Sequence, residues 1–138
     1  MRRTATALLG LALAASGCAV AVGGPLDECA AGVEPVGIAV PESGVQAPET
    51  VSLECYRVVR DSRIEVLFTM PPGPDCHGVS VVDAVESADA VSIELQIGKL
   101  ANPIGGACPE EPMLRAVQVE LNGAIEGRQV LDASRPPS

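Results

Sequence analysis

Hydrophobic and polar residues alternate most cleanly in two runs. Ile64, Val66, Phe68 and Met70 interleave with Glu65, Leu67 and Thr69, and Val91, Ile93, Leu95 and Ile97 interleave with Ser92, Glu94 and Gln96. A period of two puts successive side chains on opposite faces of a strand, so both runs predict half-buried β-strands. Weaker versions of the signal cover residues 51–59, 79–86, 115–121 and 128–132; in the third, Val117, Val119 and Leu121 face one way and Gln118 and Glu120 the other. The polar turns Arg60-Asp61-Ser62 and Ser87-Ala88-Asp89 separate adjoining runs and predict two hairpins. No helix of ordinary length is visible. Pro71-Pro72-Gly73-Pro74 and Asn102-Pro103-Ile104-Gly105-Gly106 cannot continue a strand and read as loops. Six or seven short strands, each with one polar face, predict an all-β fold: a small antiparallel β-sandwich of immunoglobulin-like kind, with a flattened barrel as the alternative.

The N-terminus follows a different rule. Met1-Arg2-Arg3 is a short basic region, residues 4–15 are apolar and rich in Ala and Leu, and Ser16-Gly17 precede Cys18. That is the order of a cleaved signal peptide over residues 1–17, and its apolar part is too short to span a bilayer. Ala15-Ser16-Gly17-Cys18 resembles the lipobox of bacterial lipoproteins, which implies a diacylglyceryl group on the Cys18 thiol. The usual Leu three places before the cysteine is Ala here, and Ala19-Val20-Ala21 offers ordinary secretory cleavage as the alternative. Residues 18–50 are rich in Gly, Pro, Ala, Glu and Ser and read as a lipidated tether with one weak strand at 36–40 and an exposed loop at 41–48. Residues 51–135 then form the β-domain.

Composition narrows the core and the partners. Tyr56 and Phe68 are the only aromatic residues, so the core must be built from Val, Ile, Leu and Ala, which favours strands. Beyond residue 17 there are seven basic and eighteen acidic side chains, a net charge of −11. Such a chain excludes nucleic acid as a partner and has no basic patch for anionic lipid, so membrane attachment falls to the lipid on Cys18.

Five cysteines are an odd number for an exported protein. With Cys18 taken by lipid, Cys29, Cys55, Cys76 and Cys108 remain, and four can pair completely in an oxidising compartment. Three connectivities satisfy that parity. Joining neighbours in chain order, Cys29 to Cys55 and Cys76 to Cys108, is the simplest, and each bridge would contribute about 3 to 4 kcal/mol through loop closure.

From about Arg60 to Asp132 the chain resembles a group of small uncharacterised exported proteins and lipoproteins of high-GC Gram-positive bacteria (actinobacteria). The matching features are the hairpin into Ile64-Glu65-Val66-Leu67-Phe68, Cys76 before a strand, the run from Asp83 to Ile93, Cys108, and the ending from Val119 to Asp132. The resemblance supports the Cys76–Cys108 pairing and implies no activity.

Candidate chemistry is sparse. His77 is the only histidine, with Asp75 and Ser80 near it in sequence, but no nucleophile-elbow pattern occurs and a solvated loop histidine is the expectation. Cys76-His77 has no second ligand pair at zinc spacing. Asp83, Glu86 and Asp89 lack the framework of a calcium loop and read as charges about a turn. No catalytic residue, metal or cofactor is therefore expected. The leading reading is a non-catalytic binding or cell-envelope module, lipid-anchored at the outer face of the cytoplasmic membrane, that meets its partner through a sheet edge or the loop at 71–77. The alternative is a secreted proteinase inhibitor using Ala107-Cys108-Pro109-Glu110-Glu111-Pro112-Met113-Leu114 as its loop.

Overall fold

The computed structural model describes residues 20–101 and 108–137 of the chain. Among them are nine strands: β1 (Gly24–Pro25), β2 (Ile38–Ala39), β3 (Val45–Thr50), β4 (Cys55–Arg60), β5 (Arg63–Met70), β6 (His77–Glu86), β7 (Ala90–Leu100), β8 (Met113–Glu120) and β9 (Gln129–Asp132). Strands β4 to β9 are the six that the alternation predicts, with the start of the first moved from residue 51 to Cys55. Both polar turns close antiparallel hairpins, β4–β5 and β6–β7.

The strands form two packed sheets. In the first, β7 is central: β6 pairs with one side of it, while the other side is shared by β9 at residues 90–93 and β3 at residues 96–100. β1 extends that side by pairing with β9. The second sheet runs β2-β8-β5-β4. Between them lie Ile64, Val66, Phe68 and Met70 of β5, Val117 and Val119 of β8, and Val91, Ile93, Leu95 and Ile97 of β7, all at most 5% exposed. Period-two side chains from both sheets thus meet in one core, and a β-sandwich results.

The sheets are mixed rather than purely antiparallel, because β9 runs parallel to β7 and β2 parallel to β8. The chain leaves the first sheet after β7, passes through the second as β8, and returns as β9; two sheet changes restore its direction.

The tether expected over residues 18–50 is not a tether from Gly24 onward. β1, β2 and β3 lie in the sheets, and Leu26 and Ala39 are buried in the core. Residues 27–29 lie along β4, where the Cys29 amide donates to the Tyr56 carbonyl (2.8 Å) and the Tyr56 amide to Asp27 (3.1 Å). Residues 36–39 lie along β8, where Val36 donates to Leu114 (2.7 Å) and Ala116 to Gly37 (3.0 Å). The intervening residues therefore pass from one edge of the second sheet to the other. This crossing explains Leu67 and its register partner Ala116, which are fully buried although they point away from the main core. Cys29 bonds to Cys55, the register partner of Leu67, and Glu34 pairs with Arg57 at 3.3 Å.

After β2 the chain crosses the side of the sandwich. Pro41 bridges to Val79 of β6, and the Glu42 amide donates to the Val79 carbonyl (2.8 Å). It then passes over the register pair Gly78 and Gly98. A Cβ on Gly98 would come within 2.8 Å of Val45 and run into the Gln46 carbonyl, so glycine is required there, and one on Gly78 would press on the Glu42 carboxylate and the Leu100 side chain. Residues 45–50, expected partly as a loop, are an exposed strand with a bulge between Gln46 and Glu49.

Candidate functional site: a groove between two sheet edges

Crossing from β2 to Pro41 closes one end of the sandwich's side and leaves the other end open. Past Val79, β6 is paired only to β7 among the described residues, so the outer side of Val81–Glu86 is a free edge. Facing it, β8 is paired on both sides at Ala116 and Val117 but only to β5 at Gln118–Glu120. A groove of about 370 Å³ lies between these edges. Val82, Ala84, Val117 and Val119 form its apolar lining, with Ile38–Pro41 at one end and Glu86 and Asn122 at the other.

Apolar exposure gathers at the Ile38–Pro41 end: Val40 is 65% exposed and Ile38 41%. Isolated exposed valines are ordinary, but these lie at an open groove beside unpaired backbone, a combination found where partners dock. The charged groups are acidic. Asp83 is exposed on the outward side of β6 and stands in register with Glu94 of β7. Glu94 accepts hydrogen bonds from Gln96 (3.0 Å) and Thr50 (2.9 Å), which hold its carboxyl below the ordinary glutamate pKa.

Glu86 fixes the far end. Its carboxylate accepts from the amides of Asn122 (2.9 Å) and Gly123 (3.3 Å) and pairs with Arg128 at 3.0 Å. Burial pushes this carboxyl up, but the two amides and the guanidinium outweigh it and leave the pKa lowered. Arg128 in turn donates to the carbonyls of Gly123 (2.7 Å) and Ala124 (2.8 Å), so the loop before β9 is tied to the groove wall.

Other sequence candidates stand apart from this groove. Cys18 lies outside the described residues, as does Ala107 and the loop at 102–106. Cys29 is bonded to Cys55 and Cys76 to Cys108, with Cα separations of 4.9 and 5.0 Å, and two such bridges belong to an oxidising, exported setting. Asp75 is ion-paired with Lys99 at 3.1 Å, and His77 Nδ1 has no hydrogen-bond partner among the described residues. Asp83 faces outward whereas Glu86 turns into the groove, and no three His, Cys, Asp or Glu side chains among the described residues converge as a metal site. In the segment suggested for protease inhibition, the Pro109 carbonyl accepts from the Gly73 amide (2.6 Å) and Cys108 is bridged, which ties the two proline-rich loops together.

Neither a protein-family model, nor a curated protein, nor a solved structure matches the chain.

Groove and crossing escaped the sequence because each is made by segments far apart in the chain. Residues 38–41, 82–86 and 117–122 come together only once both sheets have formed. The one local signal is the clustering of Val36, Ile38 and Val40 in an otherwise polar stretch.

Proposed function

We propose that this protein is a non-catalytic binding module, exported and held by a lipid on Cys18 at the outer face of the cytoplasmic membrane, with the groove beside β6 as its contact surface. The observation that carries the reading is the open groove, lined by both valine and polar side chains and bounded by unpaired backbone of both sheets. A binding module needs such a surface and needs no acid, base or nucleophile. The small actinobacterial lipoproteins that the chain resembles are consistent with this address.

The position of β1 supports the arrangement. Only five residues separate Cys18 from Gly24, a reach of at most about 20 Å, so a lipid on Cys18 would hold the domain close to the bilayer. β1 and β6 flank the first sheet on opposite sides of β9 and β7, three strand spacings or about 14 Å apart. Anchoring through the β1 side attaches the lipid at the edge of the first sheet opposite β6. Two acyl chains suffice for stable attachment without help from a chain whose charge opposes anionic lipid.

The test is fractionation of cells expressing the wild type or Cys18→Ser, combined with protease added to intact cells. The proposal expects wild type in the membrane fraction and digestible from outside, and the variant lost from that fraction. Equal membrane retention of both forms, or protection from external protease, refutes it.

A further inference from the structure

We infer that the free edge of β6 accepts an extended, cationic segment of a partner protein as an added strand, with small apolar side chains entering the groove and Lys or Arg lying outside beside Asp83. This rests on the groove being the contact surface and specifies what it takes.

Backbone comes first. Val81–Glu86 offers six residues of one-sided pairing, about 20 Å of strand, whose outward amides and carbonyls no other described strand uses. An extended segment satisfies such an edge by main-chain hydrogen bonds whatever its sequence, and its side chains then alternate between two environments. On the inner side are Val82 and Ala84 facing Val117 and Val119 across the groove of about 370 Å³, room for two or three aliphatic side chains. Of the two carboxylates on the groove, Glu86 already has Arg128 and two amides and Glu120 is paired with Arg63, so inward positions of the ligand should be apolar.

Charge selects the other face. Asp83 and Glu94 sit directly opposite one another, neither forms an ion pair among the described residues, and like charges in register repel. A strand added at β6 would put an outward side chain next to Asp83, where a cation relieves that repulsion. A second copy of this chain would bring another Asp83 to the same place and, with eighteen acidic against seven basic side chains beyond residue 17, would add repulsion; an acid on the edge is a known means of blocking self-pairing. The occupant is therefore a basic heterologous segment.

The test uses the full exported protein, purified in detergent, and three synthetic peptides of about eight residues: one alternating valine and lysine, one alternating valine and glutamate, and one with the lysines and valines in separate blocks. Amide chemical shifts locate binding and titration gives affinity. The proposal expects the alternating cationic peptide to bind at least tenfold tighter than either control, with shifts at Val81–Glu86. It also expects Asp83→Lys, a change at an exposed side chain, to remove that preference. Equal binding of both alternating peptides at Val81–Glu86 overturns the ligand class while leaving the groove as the contact surface. Shifts confined to β3 or β4 overturn both, and concentration-dependent dimerisation through β6 overturns the heterologous partner.

Discussion

Replacing Asp132 by alanine should be among the most damaging single changes outside the apolar core. Its side chain is 1% exposed at the end of β9. One carboxylate oxygen accepts from the Leu53 amide (2.9 Å) and lies 3.2 Å from Arg135 Nε; the other accepts from the Ser134 amide (2.8 Å). Arg135 also donates to the Leu53 carbonyl (2.7 Å) and to Pro25 (3.3 Å), so one carboxylate organises β9, the segment between β3 and β4, and the C-terminal turn. Alanine would leave the Leu53 amide buried without a partner, at a cost of about 1 to 3 kcal/mol. Losing the half-buried Ser134 bond adds about 1 kcal/mol more. Arg135 is 41% exposed and can return to water, so the 3 to 5 kcal/mol typical of breaking a fully buried pair does not apply in full. The sum is about 3 kcal/mol, equivalent to a fall of roughly 10 °C in Tm for a domain of this size. Urea unfolding of wild type and Asp132→Ala, with disulfides intact, measures it as a lower midpoint at unchanged slope. Asp132→Asn keeps one acceptor and should lose less. A loss below about 0.5 kcal/mol for the alanine variant, the range of ordinary surface changes, would refute the assignment.

Three further outcomes follow from the same contacts. Removing the Cys29–Cys55 bridge by a double change to serine should lower stability by about 3 to 4 kcal/mol, read by denaturant unfolding, because it frees a 26-residue separation in the unfolded chain. Ala47 has φ of 48° in the β3 bulge, so Ala47→Gly should raise stability by about 0.5 to 1 kcal/mol in the same assay, the relief of left-handed strain exceeding glycine's entropic cost. Glu86 has a lowered pKa in the folded state, so its hold on Asn122 and Gly123 is complete above the ordinary glutamate value and is lost as pH falls through the lowered one. The amide shifts of Asn122 and Gly123 should titrate with that depressed midpoint, and Glu86→Gln should abolish the transition.

Much of the sandwich was legible because its long strands carry a local signal. A run such as Ile64 to Met70 declares its core face residue by residue, and short polar turns set the hairpins on either side. Chain-neighbour pairing of the cysteines likewise matches the two bridges. β1 and β2, with two residues each, have no period to detect, and their places depend on partners about 80 to 110 positions away, at Ala116, Leu131 and Asp132. Gly and Pro in that stretch read as a linker, whereas Gly24 there permits a close approach to the C-terminal segment, since a Cβ on it would come within 2.9 Å of the Pro136 carbonyl oxygen. Leu67 stands among the polar positions of its run, and the segment that covers its face lies before β4, out of reach of any local pattern. Asp132 looked like a polar strand end, and nothing local marks it as the acceptor for Leu53.

Intact mass measurement of the protein from membrane and culture fractions, before and after reduction, tests the central claim most directly. A membrane-associated chain beginning at Cys18, carrying a diacylglyceryl group and gaining four hydrogens on reduction of its two bridges, is the predicted result. An unmodified chain beginning near Val22 and found only in the medium would contradict the anchored module.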